Sequence, residues 1–326
     1  MLTFNTDRQE YRDLMRGYFP DVEPVQVNVP HRLLPTVPGL LKTIRALYRA
    51  IRSTYPVKGL TISDYLLSVL AFSFTIRIID ELESKQLKCS KYVAFNSSYM
   101  CESAISFYFR SKGIPTASLQ HGMYAEYVGA VVPMDVINYE NVCAEELWVW
   151  GQYSKLEVSN LAPSDCNIVV KGYPFWKQAE KKRCSKAVYV LLPRDIYIHE
   201  SYELLEMLAS YQHDYEFIVR PHPSALPLIA SWIESHNANF QLESGVSLNK
   251  QLESVEFHRV IAFNSTAIFE SILMRQKIIV FNKNSEFDCS AMPTFSDSVV
   301  LNQLLQVDIV SVSSEHFFLQ YELSLG

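Results

Sequence analysis

The sequence predicts an α/β protein of two parallel-sheet domains, and three observations carry that expectation. Short apolar runs alternate with amphipathic stretches along most of the chain, the rhythm of βαβ units that build parallel sheets. A charged stretch at residues 175–186, with Lys177, Lys181, Lys182, Arg183 and Lys186, interrupts that alternation and suits an interdomain linker. The chain has 326 residues, 48% of them apolar, enough for two filled cores. The expected domains are 1–174 and 175–326.

Taken in order, residues up to Pro38 are rich in proline and lack periodicity, which predicts an irregular lead-in. Over residues 39–53, Leu40, Leu41, Ile44, Leu47, Tyr48 and Ile51 form one helical stripe and Lys42, Arg45, Arg49 and Arg52 another. Such a basic amphipathic helix either turns a solvated face to water or lies on an anionic membrane surface. Thr61 or Ser63 is expected to cap the next helix, which is apolar on all sides and therefore expected in the core.

Then the alternation begins. Tyr92–Phe95 reads as a strand, Tyr99–Lys112 as a helix closed by Gly113, and Ile114–Leu119 as a second strand. Glu146–Trp150, Gln152–Asn160 and Asn167–Lys171 continue as strand, helix and strand. After the linker, strands are expected at Ala187–Leu192, Glu216–Val219, Arg259–Phe263 and Lys277–Phe281, and helices at Ser201–Tyr211, Leu226–His236 and Thr266–Met274. No internal repeat or low-complexity tract is evident, and the chain after Asn282 has no clear assignment.

Composition excludes several functions. A net charge of −6 and a pI near 5.8 argue against a nucleic-acid partner bound by phosphate neutralisation. The six cysteines show no metal-ligand or disulfide spacing, which fits a reducing cytoplasm. The N-terminal MLTFNTDRQEYRD has charges where a signal peptide needs an apolar segment, and the uncharged run Tyr65–Ile76 is too short to span a bilayer. There is no GxxxxGK[ST], GxGxxG, GxSxG or HExxH motif and no Asp-x-Asp pair for a divalent ion. No cofactor is expected, and the default is a metal-independent site.

The residues that point to chemistry follow strand ends. Arg220-Pro221-His222-Pro223 closes one strand, and two prolines around one histidine hold the imidazole stiffly for a phosphate or leaving-group contact. Asn264-Ser265-Thr266 stands where another strand turns into a helix, so its amides and hydroxyls either meet a phosphate or cap the helix. Glu270, one turn on, can accept from ribose hydroxyls. Arg194, after a third strand, is a diphosphate contact or the partner of Asp195. In the first domain His121, between Gln120 and Gly122, is a candidate base for an acceptor hydroxyl, with Glu126 and Asp135 as competing bases.

These motifs resemble those of the GT-B glycosyltransferases of bacterial surface-polysaccharide synthesis. The set includes capsule and O-antigen transferases, bacterial sialyl- and polysialyltransferases, and the CDP-glycerol and CDP-ribitol polyol-phosphate transferases. SLQHG at Ser118–Gly122 is similar to the His-Gly motif of the polyol-phosphate enzymes. RPHP at Arg220–Pro223 resembles the His-Pro motif that contacts the donor nucleotide, and FNSTAIFESI at Phe263–Ile272 resembles the Ser/Thr motif that binds donor phosphate. The acidic-acidic-glycine motif of many bacterial sialyltransferases has no counterpart, which leaves His121 as base.

The resemblance implies a GT-B-like fold of two Rossmann-like domains facing across a cleft. It implies a sugar moved from a nucleotide-sugar donor to a hydroxyl of a glycan or lipid-linked glycan, in the cytoplasm, with residues 39–53 as the candidate for peripheral contact at the inner face of the membrane. A polyol-phosphate transferase and a non-catalytic nucleotide- or glycan-binding module are the alternatives. Donor contacts fall on Arg194, Arg220, His222, Pro223, Asn264, Ser265, Thr266 and Glu270.

Overall fold

The computed structural model describes residues 2–3, 9–22, 39, 41–45, 48, 62–120, 138–174, 183–245, 247–282 and 292–309. Two compact units emerge. The first holds a five-stranded sheet; the second takes Trp150–Val158 and the described residues from Val170 onward.

In the first unit β1 (Leu2–Thr3), α1 (Gln9–Tyr18), α2 (Ile62–Lys85), β2 (Tyr92–Ala94), α3 (Met100–Ser111), β3 (Thr116–Leu119) and β4 (Glu146–Val149) follow one another. The sheet order is β1-β2-β3-β4-β5, where β5 is Asn167–Val170, and the β1/β2, β2/β3 and β3/β4 pairs are parallel. Every residue of β2 and β3 is buried, as expected of a parallel sheet covered on both faces. Phe74, Ile78 and Leu82 of α2 pack with Ala104, Ile105 and Phe109 of α3. Gly113 closes α3 in the left-handed region, at φ +71°.

Two expectations fail in this unit. The lead-in contains a strand, β1, and a helix, α1, which buries Leu14, Met15 and Tyr18. A three-residue stripe among charges is too short to stand out as periodicity. Helix α2 is apolar on all sides yet not wholly core: Leu66 and Leu67 are 61% and 64% exposed. Residues 41–45 are helical as expected and are tied to α2 by Lys42 to Asp80 at 3.0 Å and by Thr43 to Ser73 at 3.2 Å. The rest of the 46–61 stretch, apart from Tyr48, lies outside the described residues, and so does Thr61.

The second unit begins with α4 (Gln152–Val158). Trp150 and Tyr153, before and within its first turn, pack on Phe269 with ring centroids 6.5 and 5.9 Å away. There follow β6 (Arg183–Cys184), β7 (Val188–Leu192), α5 (Ile198–Ala209), β8 (Phe217–Pro221), α6 (Leu226–Ser235), β9 (Phe240–Leu242), α7 (Leu248–Ser254), β10 (Val255–Glu256), β11 (Arg259–Ala262), α8 (Ala267–Leu273), β12 (Ile278–Phe281), β13 (Thr294–Phe295) and α9 (Ser298–Gln306). The expected linker therefore ends in a strand, because β6 pairs with β10. Residues 175–182 lie outside the described residues.

The main sheet runs β13-β12-β11-β7-β8-β9, and all its pairs are parallel. Read from β9, this is the three-two-one-four-five-six order of the doubly wound fold. Helix α9, in the stretch for which periodicity gives no assignment, is capped by Asp297, whose carboxylate accepts from the amides of Val299 and Val300 at 2.9 Å. Its other end is held by Arg259, 2% exposed, which donates to the carbonyls of Leu304 and Val307. A cation on the last carbonyls of a helix opposes their negative pole.

One buried acid sets a pH dependence. Glu102 in α3 is 4% exposed and accepts from the amides of Phe95 and Asn96, and burial, outweighing those bonds, pushes its carboxyl up from 4.5 to about 8. Between those values the unfolded chain has released the proton and the folded protein retains it. Stability from this group is thus full below pH 4.5 and declines as pH rises towards 8, by at most about 1.4 kcal/mol per pH unit. Glu102→Gln removes this slope, so its melting temperature relative to the parent protein should rise steadily from pH 5 to pH 8. A difference independent of pH would contradict the assignment.

Candidate functional site

In the second sheet the chain builds outward one way from β7 through β8 and β9, and the other way from β11. The two connections therefore diverge at the carboxyl ends of β7 and β11, which leaves a crevice outside the sheet where such folds bind ligands. Register fixes what surrounds it. Leu191 pairs with both Arg220 and Ala262, so the loops after β7, β8 and β11 leave the sheet at one edge. Those loops carry Arg194 and Asp195, His222, and Asn264-Ser265-Thr266.

His222 is pinned on both sides by its own backbone. Its amide donates to the Leu192 carbonyl at 3.0 Å, and its carbonyl accepts from Ala225 at 2.9 Å and Leu226 at 3.1 Å, at the start of α6. Pro221 is buried, Pro223 exposed, and the imidazole faces solvent. Nδ1 lies 2.9 Å from the Ser224 hydroxyl, which donates to Asp195 Oδ1 at 2.8 Å. Arg194 is exposed beside it.

Arg220 sits one step inside the strand. The alternation of β8 puts Phe217, Val219 and Pro221 in the core and Arg220 on the opposite face, half-buried. There its guanidinium hydrogen-bonds the Tyr189 phenol, which also donates to Glu243; burial, then Glu243, raises that phenol's pKa. Arg220 Nη1 is buried with no hydrogen-bond partner among the described residues. A buried donor without an acceptor is costly unless a ligand or water supplies one.

The Asn264-Ser265-Thr266 loop is open. Asn264 takes a left-handed backbone, φ +43°, which asparagine tolerates better than most residues. The Ser265 hydroxyl accepts from the Ala267 amide at 3.2 Å, so Ser265 makes a local turn, while Thr266, at the N-cap of α8, makes no side-chain cap and is exposed. Among the described residues the amides of Ser265 and Thr266 have no backbone acceptor. Glu270, half-buried, stands close enough to Tyr173 for its charge to add to the burial that raises the Tyr173 phenol.

The expectation of no internal repeat needs one correction, for a short correspondence in the sequence follows both β2 and β11. Ala94-Phe95-Asn96-Ser97-Ser98 and Ala262-Phe263-Asn264-Ser265-Thr266 are each followed by Glu-Ser at the same spacing, Glu102-Ser103 and Glu270-Ser271. Both copies begin on the last residue of a parallel strand, β2 or β11, and run into a helix. Their surroundings differ. In the first copy Ser97 accepts from Cys143 at 3.1 Å and Ala144 at 3.3 Å, its amide donates to Ser118 at 3.0 Å, and Ser98 donates to the Asn138 carbonyl. Asn96, Ser97 and Glu102 are buried there. One local sequence thus gives a loop whose polar groups are consumed by protein and a second that leaves them at the switch point.

His121, Glu126 and Asp135 lie outside the described residues; the last described position before them is Gln120, at the end of β3. Among the described residues no cluster of three or more His, Cys, Asp or Glu side chains has the arrangement of a metal site.

No protein-family model matches the chain, and no characterised protein is significantly similar to it in sequence. Solved structures do match. S. aureus MnaA in complex with UDP aligns over 97% of this chain and 84% of its own, with 13% identity and a TM-score of 0.55. UDP-GlcNAc 2-epimerase from Methanocaldococcus jannaschii, with UDP-GlcNAc and UDP, aligns over 97% and 96%, with 10% identity and a TM-score of 0.55. S. aureus TarM aligns over 75% of this chain at 15% identity and a TM-score of 0.48; the chain spans about half of TarM, 53%. At these identities the likeness is one of fold. The chain has the GT-B-like α/β architecture of two Rossmann-like units.

The left-handed residue gives a direct check of the loop. Asn264→Ala should cost about 1 kcal/mol by denaturant unfolding, whereas Asn264→Gly should stay within about 0.5 kcal/mol of the parent. Equal costs would mean that Asn264 is not held left-handed.

Proposed function

We propose that the chain is a glycosyltransferase that moves a sugar from a nucleotide-activated donor to a hydroxyl of a surface-polysaccharide acceptor, capsule or O-antigen, without a metal ion. The observation that carries this reading is the doubly wound switch point of the second unit, with a pinned His222 on one side and the open Asn264-Ser265-Thr266 loop on the other. Donor phosphate is assigned to Ser265 and Thr266, with Asn264 holding the turn. Arg194 and Arg220 add positive charge, Pro223 stiffens the exit, and Glu270 accepts from ribose hydroxyls. His222 stabilises the charge that develops on the departing phosphate, the main lever of a site without a metal. His121 takes the acceptor proton, with Glu126 as the competing base.

The acceptor suggests a place of work. Leu41, Ile44 and Tyr48 are 55%, 51% and 59% exposed on a helical stretch that also carries exposed Lys42 and Arg45, a composition suited to the surface of an anionic membrane. No helix among the described residues is long and apolar enough to cross one.

A second reading is favoured by one observation. MnaA and a UDP-GlcNAc 2-epimerase are among the structures that align with nearly the whole chain, which makes epimerisation of a nucleotide sugar the rival reaction. Incubation with UDP-, GDP-, CMP- and CDP-linked donors separates the readings. A glycosyltransferase releases nucleotide and leaves a glycosidic bond to the acceptor, an epimerase turns UDP-GlcNAc into its epimer with no acceptor, and a polyol-phosphate transferase releases CMP from a CDP-linked donor and leaves a phosphodiester in the product. His222→Ala is expected to lower transfer by about 100-fold or more with the melting temperature retained. Unchanged turnover in that variant would remove His222 from the mechanism.

A further inference from the structure

We propose that the first half of α2 joins residues 41–48 in a docking face for a bilayer surface rich in anionic phospholipid, with the leucines of α2 entering the lipid. This deepens the membrane contact proposed above for residues 41–48 and draws nothing from the donor site.

Helix α2 changes character near its middle. From Ser73 onward it turns Ser73, Phe74, Ile78 and Leu82 into the first unit, whereas none of the described side chains from Ser63 to Phe72 is buried. Leu66 and Leu67 are more than half exposed, and Leu70 and Phe72 are 44% and 40% exposed. Residues 65–76 carry no charge, so this half has no charged face to turn to water. A helix that is apolar all round belongs in an apolar surrounding, and an exposed apolar patch of this kind marks a contact. No helix among the described residues is long and apolar enough to cross a membrane, which leaves the interface of a bilayer as the depth it can reach.

Residues 41–45 lie against the same helix where its two halves meet. Thr43 is buried with its hydroxyl 3.2 Å from that of Ser73, and Lys42 reaches Asp80 at 3.0 Å. Leu41, Ile44 and Tyr48, spaced as one helical stripe, are exposed there too. Two exposed apolar elements therefore share one region of the first unit.

Charge decides the partner. The chain has a net charge of −6, yet residues 24–63 contain no Asp or Glu and carry Arg32, Lys42, Arg45, Arg49, Arg52 and Lys58. Of these Lys42 and Arg45 are described, and both are exposed. A second copy seated on the same face would bring these like charges together, because a two-fold contact repeats one patch on both sides. An anionic lipid surface meets them with opposite charge, and each cation close to it raises binding about fivefold. The leucines then supply the part of the affinity that salt does not screen.

Flotation of the full chain with lipid vesicles tests this. The parent protein should float with vesicles of phosphatidylglycerol and phosphatidylethanolamine, and about tenfold less with phosphatidylcholine alone. Leu66→Ser/Leu67→Ser should lower partitioning into the anionic vesicles about tenfold or more, while Leu156→Ser, at a leucine 64% exposed in the second unit, should stay within about twofold of the parent. The melting temperature of the double variant should be retained, since both side chains are exposed. A parent protein that floats with neither vesicle would overturn the docking face and the contact at residues 41–48 together. Equal flotation with both vesicles would overturn the assignment to anionic lipid. A double variant that floats like the parent would remove α2 from the face, and loss of flotation in Ile44→Ser would then leave the contact at residues 41–48 standing. A parent that light scattering finds dimeric, and that the double variant makes monomeric, would give the face to self-association instead. None of these outcomes involves the donor, so the transferase reading is decided separately.

Discussion

The pairing of β7 with β11 is the constraint on which the candidate site depends. Four registered positions, from Val188 with Arg259 to Leu191 with Ala262, place two strands distant in sequence side by side in the middle of the second sheet. Because β7 also pairs with β8, a single strand fixes the heights of three loops. Both its faces are buried, so a one-residue slip would misplace the polar loop and disturb the core together. The same pairing fixes structure at the far end of β11, where buried Arg259 holds the last carbonyls of α9.

Given that frame, the duplicated Ala-Phe-Asn-Ser motif stands in two different surroundings. Around Ser97 the hydroxyl and amide are taken up by Cys143, Ala144 and Ser118. Around Ser265 the only partner of the hydroxyl among the described residues is the Ala267 amide, and Thr266 stands exposed. The second copy thus keeps one local turn bond and leaves the Thr266 side chain exposed. Asn264 is left-handed in the second copy, and the nearby Arg220 Nη1 is buried without a hydrogen-bond partner among the described residues.

Much of this architecture is legible in the amino-acid sequence. The apolar runs of β7, β8, β11 and β12 are short and sharply bounded, so periodicity and turn residues identify them, and the proline-flanked His222 and the Ser265-Thr266 pair stand out as strand exits. What the sequence hides depends on long-range geometry. Asp195 and Ser224 are twenty-nine positions apart and become neighbours only through the β7/β8 pairing. Helix α1 and the two-residue strands β6 and β10 carry too few apolar positions to signal themselves, and the duplicated motif is confined to about a dozen residues. Arg220 reads as part of a strand exit, yet the alternation of β8 turns it to the face shared with Tyr189 and Glu243.

The central claim is that the switch point of the second unit, and not the matching loop of the first, receives the phosphates of a nucleotide. Amide hydrogen exchange with and without saturating UDP tests it most directly. The account predicts slowed exchange at Ser265 and Thr266 and around His222, with the Asn96–Tyr99 loop unchanged. Protection at the first loop instead, or none in the second unit, would contradict it.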